Sequence, residues 1–346
     1  MKTAIIGAGL LGRLAALRLI QLGHKVTLLE AHSFDHPHNA AAISAALIAP
    51  LSESVHTCPE VVKLGLTSQS LWPDILTSLS DIDPQHQSVS YETRGTVVLS
   101  FTGEQDCLLA HRDALYRAVP EHRDSIRMLY NDEVTELEPE LMRFETALHI
   151  HNEGNLCNAE FLAASSRALR RHASIIDHWA MKGDGSELSK EYNWVIDCRG
   201  PGAVQNPTHA NDSDQRLFSV RGEAIRIRTD AVPLTRPIRI IQKRCTIFIA
   251  PKKNNIFVIG ATDLDKSDSH AVTVRSSLDL LAAVYALHPG FADAEIVEAI
   301  AGQRATYEHR KPEILVNENI ISINGLSRQG WMTAPALVEK LTPILA

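Results

Sequence analysis

Apolar and polar positions alternate in two different rhythms along this 346-residue chain, and the change of rhythm divides it. Residues 3–6 are apolar and β-prone, and a glycine cluster follows at once. From about 10 to 22, Leu10, Leu14, Leu17 and Gln21 recur at helical spacing, and Gly23 stands where a helix-ending glycine belongs. Residues 25–30, KVTLLE, read as a second strand. A strand–helix–strand unit of this length has parallel strands and a right-handed crossover. Farther on, 60–79 and 159–171 read as helices, 95–101 and 193–198 as strands, and 133–142 as a proline-containing connection. From 219 to 262 the rhythm shortens. SVRGEAIRIRT, IRIIQ, CTIFIAP and IFVIGAT are β-rich runs broken by proline and by Lys-Lys-Asn-Asn, the pattern of an antiparallel sheet. Residues 272–287 read as a helix, 320–324 as a strand ended by Gly325, and 333–345 as a closing helix. The fold class expected is α+β, a parallel-sheet domain interleaved with an antiparallel one.

Composition narrows the classes. With 45% hydrophobic residues and no low-complexity tract, the chain can bury a sizeable core. No apolar run is long enough to span a membrane. The formal charge of −7 argues against nucleic-acid binding, which relies on basic patches. Five cysteines at 58, 107, 157, 198 and 245 form no CxxC pair, which argues against disulfides and structural zinc. The 16 histidines show no metal spacing; His149 and His151 alternate on an expected strand and are read as exposed. The start of the chain lacks the pattern of a secretory signal, so the expected compartment is the cytoplasm.

The chemistry begins at Gly7, Gly9 and Gly12, a GxGxxG that follows a strand and opens a helix. Gly7 allows the tight turn, Gly9 lets backbone approach a pyrophosphate, and Gly12 lets helix and sheet pack closely. The N–H groups of Leu10 and Leu11 then lie at the positive end of the helix dipole. Glu30, at the end of the second strand and followed by Ala31, can accept hydrogen bonds from ribose hydroxyls and would repel a 2′-phosphate. FAD or NAD is therefore favoured over NADP. The alanine-rich stretch 39–50 suits either a tightly packed helix, the better reading on composition, or backbone laid against a ligand; the second is a first hint of a flavin.

Six segments resemble the D-amino acid oxidase superfamily of FAD-dependent amine oxidoreductases, especially the glycine oxidase type of thiamine biosynthesis and its sarcosine oxidase-like kin. They are 4–31, AISAALIAP (42–50), VIDCRGPGA (195–203), VRGEAIRI (220–227), IFIAPKKNNIFVIGAT (247–262) and NGLSRQGWMTAPALVEKL (324–341). The last, G-x-x-R-x-G-x-x-x-A-P, is the most specific. The resemblance implies a Rossmann-like FAD-binding domain from 1–84, 149–219 and 301–346, and a substrate domain from 85–148 and 220–300. It implies that Ser44, Ala45, Ala46 and Leu47 lie beside the flavin, that Gly200 ends a strand near it, and that Arg328, Gly330, Trp331 and Met332 pass along the ring. It also implies FAD held without a covalent bond, and oxygen or another electron acceptor. Arg304, in AGQRA, resembles the substrate arginine, whose planar fork suits a carboxylate.

Departures from the family pattern gather on the substrate side. Phe248 stands where a tyrosine usually donates, Ala305 replaces a proline, Ser327 replaces an aromatic or histidine, and Trp331 is bulkier than usual. The resemblance therefore implies oxidation of the C–N bond of a small amine or amino acid by hydride transfer to the flavin, with Arg304, Arg328 and Phe248 at the reacting end and a substrate shifted from glycine. The alternatives are oxidation of a side chain on a partner protein or other large substrate, and a non-catalytic flavin-binding protein.

Overall fold

The computed structural model describes residues 1–345 apart from 36–38, 83–87, 206–215, 244, 265–267 and 269. Its six-stranded sheet runs Glu313–Asn317, Ile320–Asn324, Trp194–Asp197, Lys2–Ile6, Lys25–Leu29, Ser174–Ile176. All neighbours are parallel except the Glu313–Asn317 hairpin. The first helix, Leu10–Gln21, starts and ends within a residue of expectation, and Gly23 ends it at φ +79°. Leu14, Leu17 and Leu28 join Trp72, Phe161 and Trp331 in one core between this sheet and its helices.

The second sheet has eight strands: Glu295–Tyr307, Leu217–Arg228, Ile256–Gly260, Thr246–Lys252, Ile238–Ile241, Thr96–Leu99, Thr146–Ile150, Ile126–Tyr130. Only the Ile238–Ile241 and Thr96–Leu99 pair is parallel. Strand side chains alternate between faces. Ile225, Ile227, Ile249 and Phe257 pack into a core with the helix Val274–Leu287. The opposite face carries Ala224, Ala250, Val258 and Phe248, which pack on Ala45 and Leu47. A three-stranded sheet of Leu47–Ile48, Gly154–Leu156 and Tyr91–Glu92 completes the fold.

Several expectations need correction. The segment 133–142 is not an open connection: Asp132–Leu137 is a short α-helix and Pro139–Leu141 a 3₁₀ turn. The closing helix is Gly330–Glu339, so it starts and ends earlier than expected. Pro335 inside it has no N–H for the Trp331 carbonyl four residues back. Trp72 Nε1 donates to that carbonyl instead, at 3.1 Å, and the helix survives its proline. His149 is 8% exposed rather than on the surface, with Nε2 at 3.2 Å from the Arg94 carbonyl. The expected domain boundaries at 149, 219 and 301 each fall inside a strand, and the one at 84 lies outside the described residues. Among the described residues no helix is long and apolar enough to cross a membrane.

Candidate active site

The three motif glycines meet three different demands. Gly7 has φ +95°, and a Cβ on it would stand 2.8 Å from the Cys198 carbonyl oxygen, so the turn lets a neighbouring strand end against it. A Cβ on Gly12 would stand 1.9 Å from the Gly7 carbonyl oxygen, so the helix rests directly on the turn. Gly9 differs, because nothing lies within 4 Å of a Cβ placed there. The helix it opens has no side-chain cap, which leaves first-turn N–H groups and the dipole's positive end for an anion. The Leu10 and Leu11 side chains are buried in the core, so these residues can offer a ligand only their backbone.

Glu30 Oε2 accepts the Ala8 N–H at 2.7 Å and Oε1 the His32 N–H at 3.0 Å. A carboxylate has further lone pairs, and Glu30 lines a shallow pocket of about 230 Å³, part of it open to solvent, with Ala8, Arg13, Phe34 and Asn39. Ala31 is exposed beside it. Arg13 holds this region together: fully buried, it donates to the Ala8, Phe34 and Leu162 carbonyls and to the Ser165 and Ser166 hydroxyls. Burial lowers its pKa to about 10, against the pull of Glu30 and Asp35. Gly200 turns at φ +56°, and its carbonyl accepts from Asn324 Nδ2 at 3.0 Å.

The alanine-rich stretch is a short helix, Ala40–Ile43, followed by an extended crossing. Its carbonyls are held by side chains reaching in from elsewhere. Asn158 Nδ2 donates to the Ala41, Ala42 and Ser44 carbonyls at 2.9–3.0 Å. Arg226 Nη2 donates to the Ala42 carbonyl, and Lys252 Nζ to those of Ala45 and Leu156 and to Asn155 Oδ1. Trp331 Nε1 donates to Ser44 Oγ at 2.8 Å, tying in the closing helix. Ala46 sits at φ +49°, a conformation rare for alanine and kept by these anchors.

This segment walls a cleft of about 1020 Å³, part of it open to solvent, against the second sheet. Register explains the sheet's contribution. Ala224 faces Gly260, Gly260 faces Phe248, and Phe248 faces Arg239 on successive strands, so these four share one face. The next row is Gly222 opposite Gly302, with Arg304 two residues along. A Cβ on Gly222 would stand 2.0 Å from Arg304 Nη2, so this glycine makes room for the guanidinium. Ser44 to Leu47, Trp331, Met332, Phe248, Arg304 and Arg328 all line the cleft. Gly330 does not; it opens the helix that carries Trp331 and Met332. The structure thus brings the expected residues together as two groups, one at Gly9 and Glu30 and one in the cleft.

Charge in the cleft is unevenly shared. Glu53 is 9% exposed and bridges two arginines: Oε1 lies 2.7 Å from Arg239 Nη1, and Oε2 lies 2.7 Å and 2.9 Å from Arg328 Nη2 and Nε. Burial pushes the Glu53 pKa up, but the two guanidiniums outweigh it and hold the carboxyl well below the ordinary range. Arg304 has weaker partners, the Thr262 carbonyl at 3.3 Å and the half-exposed Asp263 carboxylate at 3.8 Å. Burial lowers its pKa, Asp263 opposing and Arg328 adding.

Sequence reasoning missed Glu53, Arg239, Asp263 and Lys252. One signal was available: an arginine amid the apolar strand IRII is out of place unless it faces a polar site. Glu53 carried none, because a glutamate after Pro50 reads as the exposed first turn of a helix. Among the described residues no group of three His, Cys, Asp or Glu could hold a metal ion.

A family model described as FAD dependent oxidoreductase matches residues 2–342. A protein of Rhizobium etli named for thiamine biosynthesis, the oxidoreductase ThiO, is 29% identical over 342 residues, covering 99% of this chain and 95% of that protein. The glycine oxidase structure from Bacillus cereus has a TM-score of 0.82 at 21% identity, covering 99% of this chain and 94% of that one. The L-α-glycerophosphate oxidase of Mycoplasma pneumoniae, with FAD bound, reaches 0.78 at 19% identity, covering 99% and 94%. At such identities the two structures speak for the fold.

Proposed function

Because the chain belongs to the family of FAD-dependent oxidoreductases, we propose that it oxidises the C–N bond of a small amino acid whose carboxylate is held by Arg304. The observation that carries this reading is Arg304 itself. It is a guanidinium in a cleft, with a side chain 16% exposed and no close carboxylate partner. A buried cation without a tight counter-ion suits an anionic ligand, and the planar fork suits a carboxylate.

The residues present fit FAD. Gly9 leaves the open space a pyrophosphate needs, Glu30 lines a pocket beside the glycine turn and accepts the Ala8 N–H, and the anchored Ser44–Leu47 backbone offers a wall with few side chains. No covalent bond is invoked. FAD, when bound, supplies the two-electron acceptor. The remaining work is positional: Arg304 orients the substrate by its carboxylate, Phe248 presents an apolar ring, and Trp331 and Met332 help close the cleft. Both Glu53 oxygens are engaged by arginines, so Glu53 positions Arg328 and does not take a proton.

Phe248 has no hydroxyl with which to hold a small polar substrate, so glycine is expected to be a poor one. Steady-state oxidation of glycine, sarcosine and D-amino acids, with oxygen and with an artificial acceptor, checks this. Glycine turnover with kcat/KM of about 10⁴ M⁻¹s⁻¹ or more would restore the plain glycine oxidase reading.

A further inference from the structure

We propose that Asp263 reads the amine end of the substrate, so that Arg304 and Asp263 together take a zwitterion: an amino acid whose protonated nitrogen stands beside its carboxylate. The inference rests on the reading that Arg304 holds the carboxylate. It adds to that site the residue that separates an amino acid from a plain acid of the same size.

The first observation is a pair of opposite charges that do not satisfy one another. Arg304 Nη1 lies 3.8 Å from Asp263 Oδ1, beyond hydrogen-bond reach. Among the described residues, Arg304 donates only to the Thr262 carbonyl, at 3.3 Å, and the Asp263 carboxylate accepts no hydrogen bond. The carboxylates that line the cleft are already engaged: Glu53 by Arg239 and Arg328, and Glu223 by Arg221. In an α-amino acid the nitrogen stands two bonds from the carboxylate carbon. A ligand seated on Arg304 therefore carries its ammonium within reach of a carboxylate this close to the same guanidinium.

The second observation is that one stretch of strand, Arg221 to Glu223, fixes both charges. The Arg304 guanidinium lies over Gly222, in the space a Cβ would fill. Asp263 is pinned on either side. Thr262 donates its N–H to the Glu223 carbonyl at 3.2 Å, and its Oγ1 accepts the Glu223 N–H at 3.0 Å. Leu264 exchanges both backbone hydrogen bonds with Arg221, at 2.9 Å and 3.0 Å. Ala261, two residues before Asp263, lines the cleft with Arg304.

The third is the reach of the charge. Burial lowers the Arg304 pKa and Asp263 opposes it. Glu53 raises the Arg328 pKa, and Asp263 adds to it. Its half-exposed carboxylate thus acts on the arginines at this side of the cleft. It repels a second anion there and attracts a cation.

The test uses the FAD-loaded enzyme and two ligands, N,N,N-trimethylglycine and the anion of tert-butylacetic acid. They share shape and carboxylate and differ by one positive charge. Neither can be oxidised to an imine, since the first has no nitrogen lone pair and the second no nitrogen. Titration against the visible flavin spectrum gives a Kd for each. Asp263→Asn is expected to weaken trimethylglycine relative to its uncharged isostere by about fourfold or more, the attraction of unit charges about 5 Å apart in watery surroundings. The isostere itself should bind more tightly to the variant, because its carboxylate no longer faces that of Asp263. Asp263→Ser is expected to shift the ratio in the same direction, and it carries the test should Asp263→Asn purify without FAD. A ratio that neither variant changes, with both ligands bound, overturns the role of Asp263 and leaves that of Arg304 intact. Equal weakening of both ligands, the mark of a merely structural residue, overturns it too. If neither ligand binds the wild-type protein, the reading of Arg304 falls and this inference falls with it.

Discussion

Gly222 shows how little separates a scaffold residue from a functional one. Its missing side chain is the space in which the Arg304 guanidinium lies. The clash that Gly222→Ala introduces is with the flexible end of a side chain, so the fold should absorb it. The guanidinium would have to move by an ångström or more, and a displacement of that size in a positioning group costs up to about a hundredfold. Gly222→Ala is therefore expected to retain FAD while losing about ten- to a hundredfold in kcat/KM. Retained FAD with unchanged kinetics would show that Arg304 does not act from where it lies.

Residues of this kind were only partly legible in the chain. The motif glycines and Glu30 were legible because their demands are local: a turn, a close approach, a strand end. Arg239 and Glu53 were not, because their pairing joins positions 186 residues apart and leaves no mark on local periodicity. Phe248 was found by contrast with a family pattern, and the sheet register then gave it neighbours, Gly260 on one side and Arg239 on the other.

At the scale of elements, the crossing from Ala40 to Ile48 joins the two large sheets. It has little secondary structure of its own, and long polar side chains hold it from both sides. Lys252 is the most committed of these. Its ammonium, buried among the carbonyl oxygens of Ala45, Asn155 and Leu156, links the antiparallel sheet to the wall of the cleft. Burial lowers its pKa to about 7. Lys252→Met keeps the aliphatic stem and removes all three donors. Removing the donors leaves the oxygens of Ala45, Leu156 and Asn155 unpaired, at about 1–3 kcal/mol for a buried polar group, and the burial cost that the lowered pKa records offsets part of it. The variant is expected to lose about 1–3 kcal/mol of stability and to release FAD more readily. Differential scanning calorimetry and FAD content in the purified protein measure both. An unchanged Tm would mean that Asn158 and Trp331 hold the crossing without it.

Elements of strong period were read nearly to the residue, the first helix and the strand runs after 219 among them. The misread ones depended on distant partners. The closing helix continues through Pro335 because Trp72, from another helix, takes the carbonyl that the proline leaves open.

At the scale of the whole molecule, acid should weaken the fold in two stages. Burial pushes His149 and His111 down to about 4, against about 6.5 in the unfolded chain. Their contribution to stability is full above pH 6.5 and is lost as the pH falls toward 4, because the unfolded state binds the protons first. For a fully buried ring that is about 3 kcal/mol, and less for these. Glu53 follows: its depressed pKa contributes stability above about pH 4.5, lost as the pH falls further. Urea unfolding from pH 7 to 4 should show a falling midpoint, and His149→Gln should flatten the fall between 6.5 and 4. A midpoint rising across that range would contradict the burial of both rings.

The role proposed for Arg304, holding the substrate's carboxylate beside FAD, is open to test by anaerobic reduction of the bound flavin. The wild-type protein and Arg304→Ala are each mixed, without oxygen, with the amino acid that bleaches the wild-type flavin fastest. Both should carry FAD in equal amount. Arg304→Ala should need far more substrate, with the reduction efficiency lowered by about 30-fold or more, as expected when a charged partner worth about 2–5 kcal/mol is lost from a closed site. Equal bleaching by the two proteins at every substrate concentration would contradict the claim.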